Sequence, residues 1–311
     1  MNNILVTGGA GFIGSHLCES LLREGHRVIC FDNFDNFYDP NIKIKNVQRI
    51  EKKFPDQFKL ITGDIRNPEH LQEALKKNLI DLIVHLAAKA GVRPSIAQPL
   101  LYQDVNIRGT IVLLEACKKY GVKDFIFASS SSVYGENQRV PFSEEDLDLQ
   151  PISPYGVTKR AGEILCYSYH RLYEINIACL RIFTAYGPRQ RPEMAIHKFT
   201  RLVDQGEKIP RYGDGSSQRD YTYIDDLIEG IQGAIHHHRG FDIYNLGESQ
   251  TTSLKELIEL IEEALDKKAN IEVLESQPGD VSITYADITK AKLRLGYHPK
   301  VDLKEGIKRF V

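Results

Sequence analysis

Short apolar runs recur along roughly the first 180 residues: 4–6 (ILV), 27–31 (RVICF), 58–62 (FKLIT), 81–86 (DLIVHL), 124–129 (DFIFAS) and 175–183 (INIACLRIF). Their apolar positions are largely consecutive rather than alternate, as in strands covered on both faces of a parallel sheet. Between them the apolar spacing changes to three and four: Ile13, Leu17 and Leu21, then Leu71, Ala74 and Leu75, then Ile111, Leu114 and Cys117. That is the period of a helix. Asn67 followed by Pro68 marks one helix start, a capping side chain ahead of a first-turn proline. Alternation of this kind predicts an α/β fold with a doubly wound parallel sheet.

Beyond about residue 184 the rhythm weakens, with Gly and Pro punctuating GPRQRPE and IPRYGDGSSQ and an isolated helical pattern over 253–268. The stretch 218–235 again reads as a strand feeding a helix, so the chain is expected to return to the sheet there. The sheet domain is expected to comprise 1–183 plus about 218–246. Segments 184–217 and 247–311 form a smaller, interleaved C-terminal lobe for a substrate. HHH at 236–238 closes a helix and reads as a solvated end rather than a ligand set.

Composition narrows the partners. The 311 residues carry 40 Lys plus Arg against 42 Asp plus Glu, dispersed along the chain, so the basic footprint needed for nucleic acid is absent. Cys18, Cys30, Cys117, Cys166 and Cys179 lie far apart, without metal-ligand spacing, and read as reduced structural thiols. No metal is expected. No apolar stretch approaches the ~18 residues of a membrane span, and MNN runs into a strand without a secretion-signal pattern. A cytoplasmic protein without membrane contact is expected.

VTGGAGFIGSH places Gly8, Gly11 and Gly14 where a strand ends and a helix starts. Glycines there permit a tight turn and bring backbone close to a pyrophosphate, whose charge the helix N-terminus favours. Phe12 and Ile13 supply amides of that first turn. Asp32 ends the next strand eighteen residues after Gly14, with Asn33 beside it. A carboxylate there accepts ribose hydroxyls and repels a 2′-phosphate, so NAD is preferred to NADP in a Rossmann-type site. Asp64 and Ile65 follow the third strand and suit the adenine ring. Leu86, Ala87, Ala88 and Lys89 follow the fourth. Ligands of open α/β sheets lie outside the carboxyl ends of strands, so these positions converge on one crevice.

The run ASSSSVYG closes the fifth strand and faces the same crevice. Tyr155 follows Ser130 by 25 residues and Lys159 follows four later, in SPYGVTK, where Ser153 can cap a helix. Spacing of four puts phenol and ammonium on one helical face. A free tyrosine titrates near 10, so Lys159 and a positive nicotinamide ring are expected to lower it enough for base chemistry. Ser130 would orient the reacting oxygen.

With these motifs together, the chain resembles the extended short-chain dehydrogenase/reductases, specifically the NAD-dependent nucleotide-sugar epimerases and dehydratases. The resemblance is carried by TGGAGFIGSH (7–16), HLAA (85–88), DVNIRGT (104–110), SSSSVYG (129–135), SPYGVTK (153–159), LRIFTAYGPRQRP (180–192) and RDYTYIDD (219–226). It implies Ser130, Tyr155 and Lys159 as catalytic triad and Asn106 as a helix residue on the cofactor side. It also implies a homodimer joined through helices over 98–120 and 153–173.

The reaction follows from what stands beside Ser130. A 4,6-dehydratase of this family carries an Asp-Glu pair there; this chain has Ser131 and Ser132. What the resemblance leaves is oxidation at C4, rotation of the ketone and hydride return, which is 4-epimerisation of a UDP-sugar. Ser131, Ser132, Thr184 and Arg191 would surround the C5 substituent and suit a carboxylate. The serines also read as turn residues that satisfy backbone groups. The stretch 181–201 resembles the UDP-glucuronate 4-epimerases, so UDP-glucuronate and UDP-galacturonate are expected, with UDP-glucose or a UDP-N-acetylhexosamine as rivals. Arg219 and Lys198 are expected at the diphosphate and Asp280 at a ribose. Arg93 and Arg191 are interchangeable by spacing alone, and Lys89 stands where the glucuronate epimerases usually carry Gln.

Overall fold

The computed structural model describes residues 1–275 and 279–311. Six strands alternate with helices: β1 (Asn3–Thr7), β2 (Arg27–Asp32), β3 (Phe58–Thr62), β4 (Leu82–His85), β5 (Asp124–Ser130) and β6 (Asn176–Ile182). A further strand, Phe241–Leu246, completes one parallel sheet, in the order Phe241–Leu246, β6, β5, β4, β1, β2, β3. The order reverses between β1 and β4, which opens a crevice beyond their carboxyl ends. Register aligns those ends, with Thr7 opposite Phe31 and His85, and Ser130 opposite Ile182.

Side chains alternate across the sheet, so Ile4 and Val6 join one apolar layer and Leu5 the other. The first layer includes Leu17 and Leu21 of the helix Phe12–Arg23 and Leu227 and Ile231 of Ile224–His237. The second includes Leu113, Leu114 and Cys117 of Gly109–Tyr120. Helices thus cover both faces, the doubly wound arrangement. All five cysteines are free and buried.

The remaining strands pair in twos: Thr184–Tyr186 with Tyr221–Tyr223, Gln218–Arg219 with Thr252–Ser253, and Lys208–Tyr212 with Asn270–Leu274. They pack with the helices Ala195–Asp204 and Leu254–Leu265 beside the sheet's carboxyl edge. Ser253 and Glu256 start the second of these with reciprocal caps.

Two sequence expectations need correction. The segment 98–120 is not one regular helix: Pro99–Tyr102 is followed by a wide turn over Gln103–Arg108, in which Gly109 N–H donates to Asp104 O five residues back, and only then by Gly109–Tyr120. Wide turns of this type mark functional sites, and this one carries Asn106. His238 is no solvated end, being buried with Nδ1 2.7 Å from Ala234 O, while His236 and His237 are exposed. Among the described residues no helix is long and apolar enough to cross a membrane.

Candidate active site

A cavity of about 770 Å³ follows the carboxyl ends of the sheet and runs into the smaller lobe. At its sheet side the chain leaves β1 through Gly8, φ +71°, where an added Cβ would come within 2.8 Å of Ala87 N. Gly14 is closed to side chains for a different reason: its Cβ would lie 2.1 Å from Gly8 O. Gly11 precedes the helix Phe12–Arg23 without a side-chain cap, so Phe12, Ile13 and Gly14 line the cavity with first-turn amides not used by a cap. Such a cradle fits a dinucleotide pyrophosphate.

Asp32 ends β2 in the same lining, 6 % exposed, accepting Ala10 N–H at 3.1 Å and Phe34 N–H at 2.9 Å. Burial raises its pKa against the opposing charge of Lys43 and those two amides. Asn33 and Asp64 also line the wall, Asn33 Nδ2 donating to Asp64 Oδ2 at 3.4 Å, and Asp64 is paired with Arg66 at 2.6 Å. Ile65, Leu86, Ala87, Ala88 and Lys89 continue the lining. Asn106 stands just behind it, clasping the Lys89 backbone from both sides (2.8 and 2.9 Å) and donating to Thr158 Oγ1 at 3.0 Å.

Ser130, Tyr155 and Lys159 meet beyond the end of β5. Ser153 caps the helix Pro154–Tyr173 by accepting Gly156 N–H, which aims Tyr155 and Lys159 from one face. Ser130 Oγ accepts Ser132 N–H at 3.1 Å and donates to Ser132 Oγ at 3.2 Å. Tyr102 packs edge-on against the Tyr155 ring, centroids 6.3 Å apart. Lys159 is buried, donates to Ala128 O at 2.7 Å, and is brought down to about 8 by burial.

Of the two charges expected to acidify Tyr155, Lys159 and the nicotinamide ring, Lys159 does not do so among the protein's own groups. Burial raises the phenol's pKa; the Ser130 hydrogen bond and the Arg191 charge pull the other way without cancelling it. The Lys159 ammonium is aimed at the strand carbonyl, 5.9 Å from the tyrosine ring centroid.

A buried ion pair holds this geometry. Arg181 of β6 donates to both oxygens of Glu163, one turn after Lys159, at 2.9 and 3.0 Å; Ser129 donates to the same carboxylate at 2.6 Å. Three elements that carry the site are thereby tied together. Nothing in the sequence pattern marks Glu163 and Arg181 as partners; register alone pairs Ser129 with Arg181.

Toward the smaller lobe, Ser131, Ser132, Thr184, Arg191, Arg219 and Asp280 share the lining. Thr184 N–H donates to Asp220 O at 3.1 Å, and Arg219 NH1 to Gln218 O at 2.8 Å. Asp280 is engaged by Arg93 at 2.6 Å, and that guanidinium stacks on Tyr212. Lys198, half-buried on Ala195–Asp204, stands outside the lining. Sequence reasoning missed Asp35, Phe37, Tyr38 and Lys43, which close the cavity over the sheet side. Their signal was the Asn/Asp-rich run after Asp32.

A family model described as GDP-mannose 4,6 dehydratase matches residues 5–310. The chain belongs to this nucleotide-sugar epimerase/dehydratase family of extended short-chain dehydrogenase/reductases. Among its relatives, the UDP-glucuronate 4-epimerase of Thermodesulfobacterium geofontis is 41% identical over 100% of this chain and 95% of its own length. The crystal structure of UDP-glucuronic acid 4-epimerase from Bacillus cereus in complex with UDP-glucuronic acid and NAD is 40% identical with TM-score 0.91, covering 99% of this chain and 97% of that one. UDP-glucose 4-epimerase of Thermotoga maritima with UDP-glucose matches at 35% identity and TM-score 0.91, with the same coverage. Within the family, this chain presents hydroxyls rather than acids in the turn after Ser130.

Proposed function

We propose that this chain interconverts UDP-glucuronate and UDP-galacturonate by NAD-dependent 4-epimerisation. The coarser activity rests on the family: the chain is an isomerase, a UDP-sugar 4-epimerase that uses NAD. The choice of uronate is carried by one observation, the lining shared by Ser131, Ser132, Thr184 and Arg191 beside Ser130 and Tyr155. Neutral donors with one guanidinium suit a carboxylate at C5.

When bound, NAD accepts and returns a hydride at C4. Tyr155 moves the C4 hydroxyl proton, with Ser130 orienting that oxygen. Lys159, buried under the helix, supplies positive charge as the phenolate develops. The 4-keto sugar turns about its phosphate linkage and is reduced on the other face. A β-keto acid loses CO₂ when its carboxylate aligns with the ketone π system, so the hydroxyls and Arg191 hold it out of alignment. Arg219 holds the diphosphate, and Asp280, in the lobe of 184–217 and 247–311, the ribose side. Gly8, Gly11, Asp32 and Asp64 would hold the dinucleotide, with Asn106 steadying Lys89.

The similarity to the Thermotoga maritima enzyme favours UDP-glucose as the second reading. An NMR time course on purified protein with a panel of UDP-sugars tests both. The expected result is UDP-galacturonate from UDP-glucuronate, without CO₂ release; equal or faster turnover of neutral sugars overturns the uronate assignment. We further propose a cytoplasmic homodimer joined through the helices of 98–120 and 153–173, since Leu100, Ile164, Tyr167 and Leu172 are exposed there.

A further inference from the structure

Between β2 and the helix Pro40–Lys53 lies the stretch 33–39, NFDNFYD. It is shaped by its own side chains: Asp35 N–H donates to Asn33 Oδ1 at 3.0 Å and Phe37 N–H to Asp35 Oδ1 at 2.9 Å. Phe34 takes φ +52°, a left-handed kink that only a held loop imposes on such a residue. The outward contacts reach distant segments. Lys89, after β4, pairs with Asp35 at 2.7 Å. Lys43 donates to Asp35 O at 2.9 Å and lies 4.9 Å from the centroid of the Tyr38 ring.

Phe37 has two cations at its ring, Lys89 Nζ at 5.7 Å and the Arg191 guanidinium at 5.5 Å from the centroid. Lys89 comes from the segment after β4 and Arg191 from the segment beyond β6, where Glu193 also holds it at 3.2 Å. All of these but Glu193 border the dinucleotide cavity. An aromatic face attracts cations on its own, and the Lys89–Asp35 pair, with side chains 14% and 30% exposed, is shielded from bulk salt.

We propose that residues 33–39 are a clasp that retains the dinucleotide, with Phe37 as the positioning residue on which Lys89 and Arg191 close. Release of the cofactor then requires the ring contacts and the Lys89–Asp35 pair to open together, which makes it slow. The inference rests on the cofactor and not on which UDP-sugar is the substrate.

The test is the rate at which purified holoenzyme loses NAD, without sugar, on dilution into an NAD-destroying glycohydrolase. Phe37→Leu keeps the apolar bulk and removes the aromatic face; its NAD loss is expected to be about tenfold faster at an unchanged Tm. Phe37→Tyr should stay within about twofold of wild type, since a phenol keeps that face. Asp35→Lys and Lys89→Asp should each speed release, and the double exchange should restore it toward wild type. Wild-type release from Phe37→Leu would overturn the clasp. So would a double exchange no slower than the worse single variant, which would make Lys89 a direct ligand of the cofactor.

Discussion

The two ends of the cavity are built differently. The dinucleotide end rests on backbone: glycine turns, a helix N-terminus and aligned strand ends, set by the same register that makes the sheet. The sugar end rests on side chains from short strands and loops, Thr184, Arg191 and Arg219, the two guanidiniums held by a few polar contacts with Glu193, Gln218 and Ser282. Backbone geometry is hard to vary without losing the fold; side chains on loops are exchangeable. One frame can therefore carry different sugars in structures with equal TM-scores.

Four substitutions test that contrast. Tyr155→Phe should lower turnover by about 10³-fold or more, the scale of general acid–base catalysis, while NAD still copurifies; loss of bound NAD would mean that the ends are not separable. Glu163→Ala should destabilise by about 3–5 kcal/mol in denaturant titrations, because Arg181 is left buried without its carboxylate; a wild-type midpoint would refute the tie between the helix and β5. Thr184→Ala should reduce kcat/KM for UDP-glucuronate by about tenfold, as for a lost hydrogen bond to a charged group, and leave UDP-glucose and NAD binding unaffected. Equal losses for both sugars would remove Thr184 from the carboxylate pocket.

The smallest effect concerns pH. Glu248 is pushed up to about 8 by burial and by Asp226 and Asp220, and burial takes Asp220 itself to about 7. Folding thus favours their protonated forms. The stability this supplies is fully present below the unfolded values near 4 and is lost as pH rises toward 7 and 8. Wild-type Tm should therefore fall a few degrees between pH 5 and 8.5, and Glu248→Gln should flatten that slope. An identical slope would move the cause elsewhere.

The contrast also explains how far the molecule could be read in advance. Strand runs, the glycine turn and the Tyr155–Lys159 spacing are local patterns, and the parallel sheet follows from them. The fold over 33–39 is not local: NFDNFYD announces turns, but its meeting with Lys89 and Arg191 exists only once β2, β4 and the segment after β6 are assembled. The same holds for Glu163 with Arg181, and for His238, which looks like the end of a polar run until Asp124 and Ala234 surround it. Tyr155 is a further case: burial raises its pKa, and the charge that opposes burial is that of Arg191, not the Lys159 that spacing suggested.

The edge strand Phe241–Leu246 joins β6 only after the chain has made its excursion through the sugar lobe. Until residue 246 is in place, β6 has one side of unpaired amides and carbonyls, the template on which another polypeptide can add. A chain cut short near residue 217 would keep Gly8, Gly11, Gly14 and the triad yet expose that edge, so it should self-associate rather than fold into a small NAD-binding module.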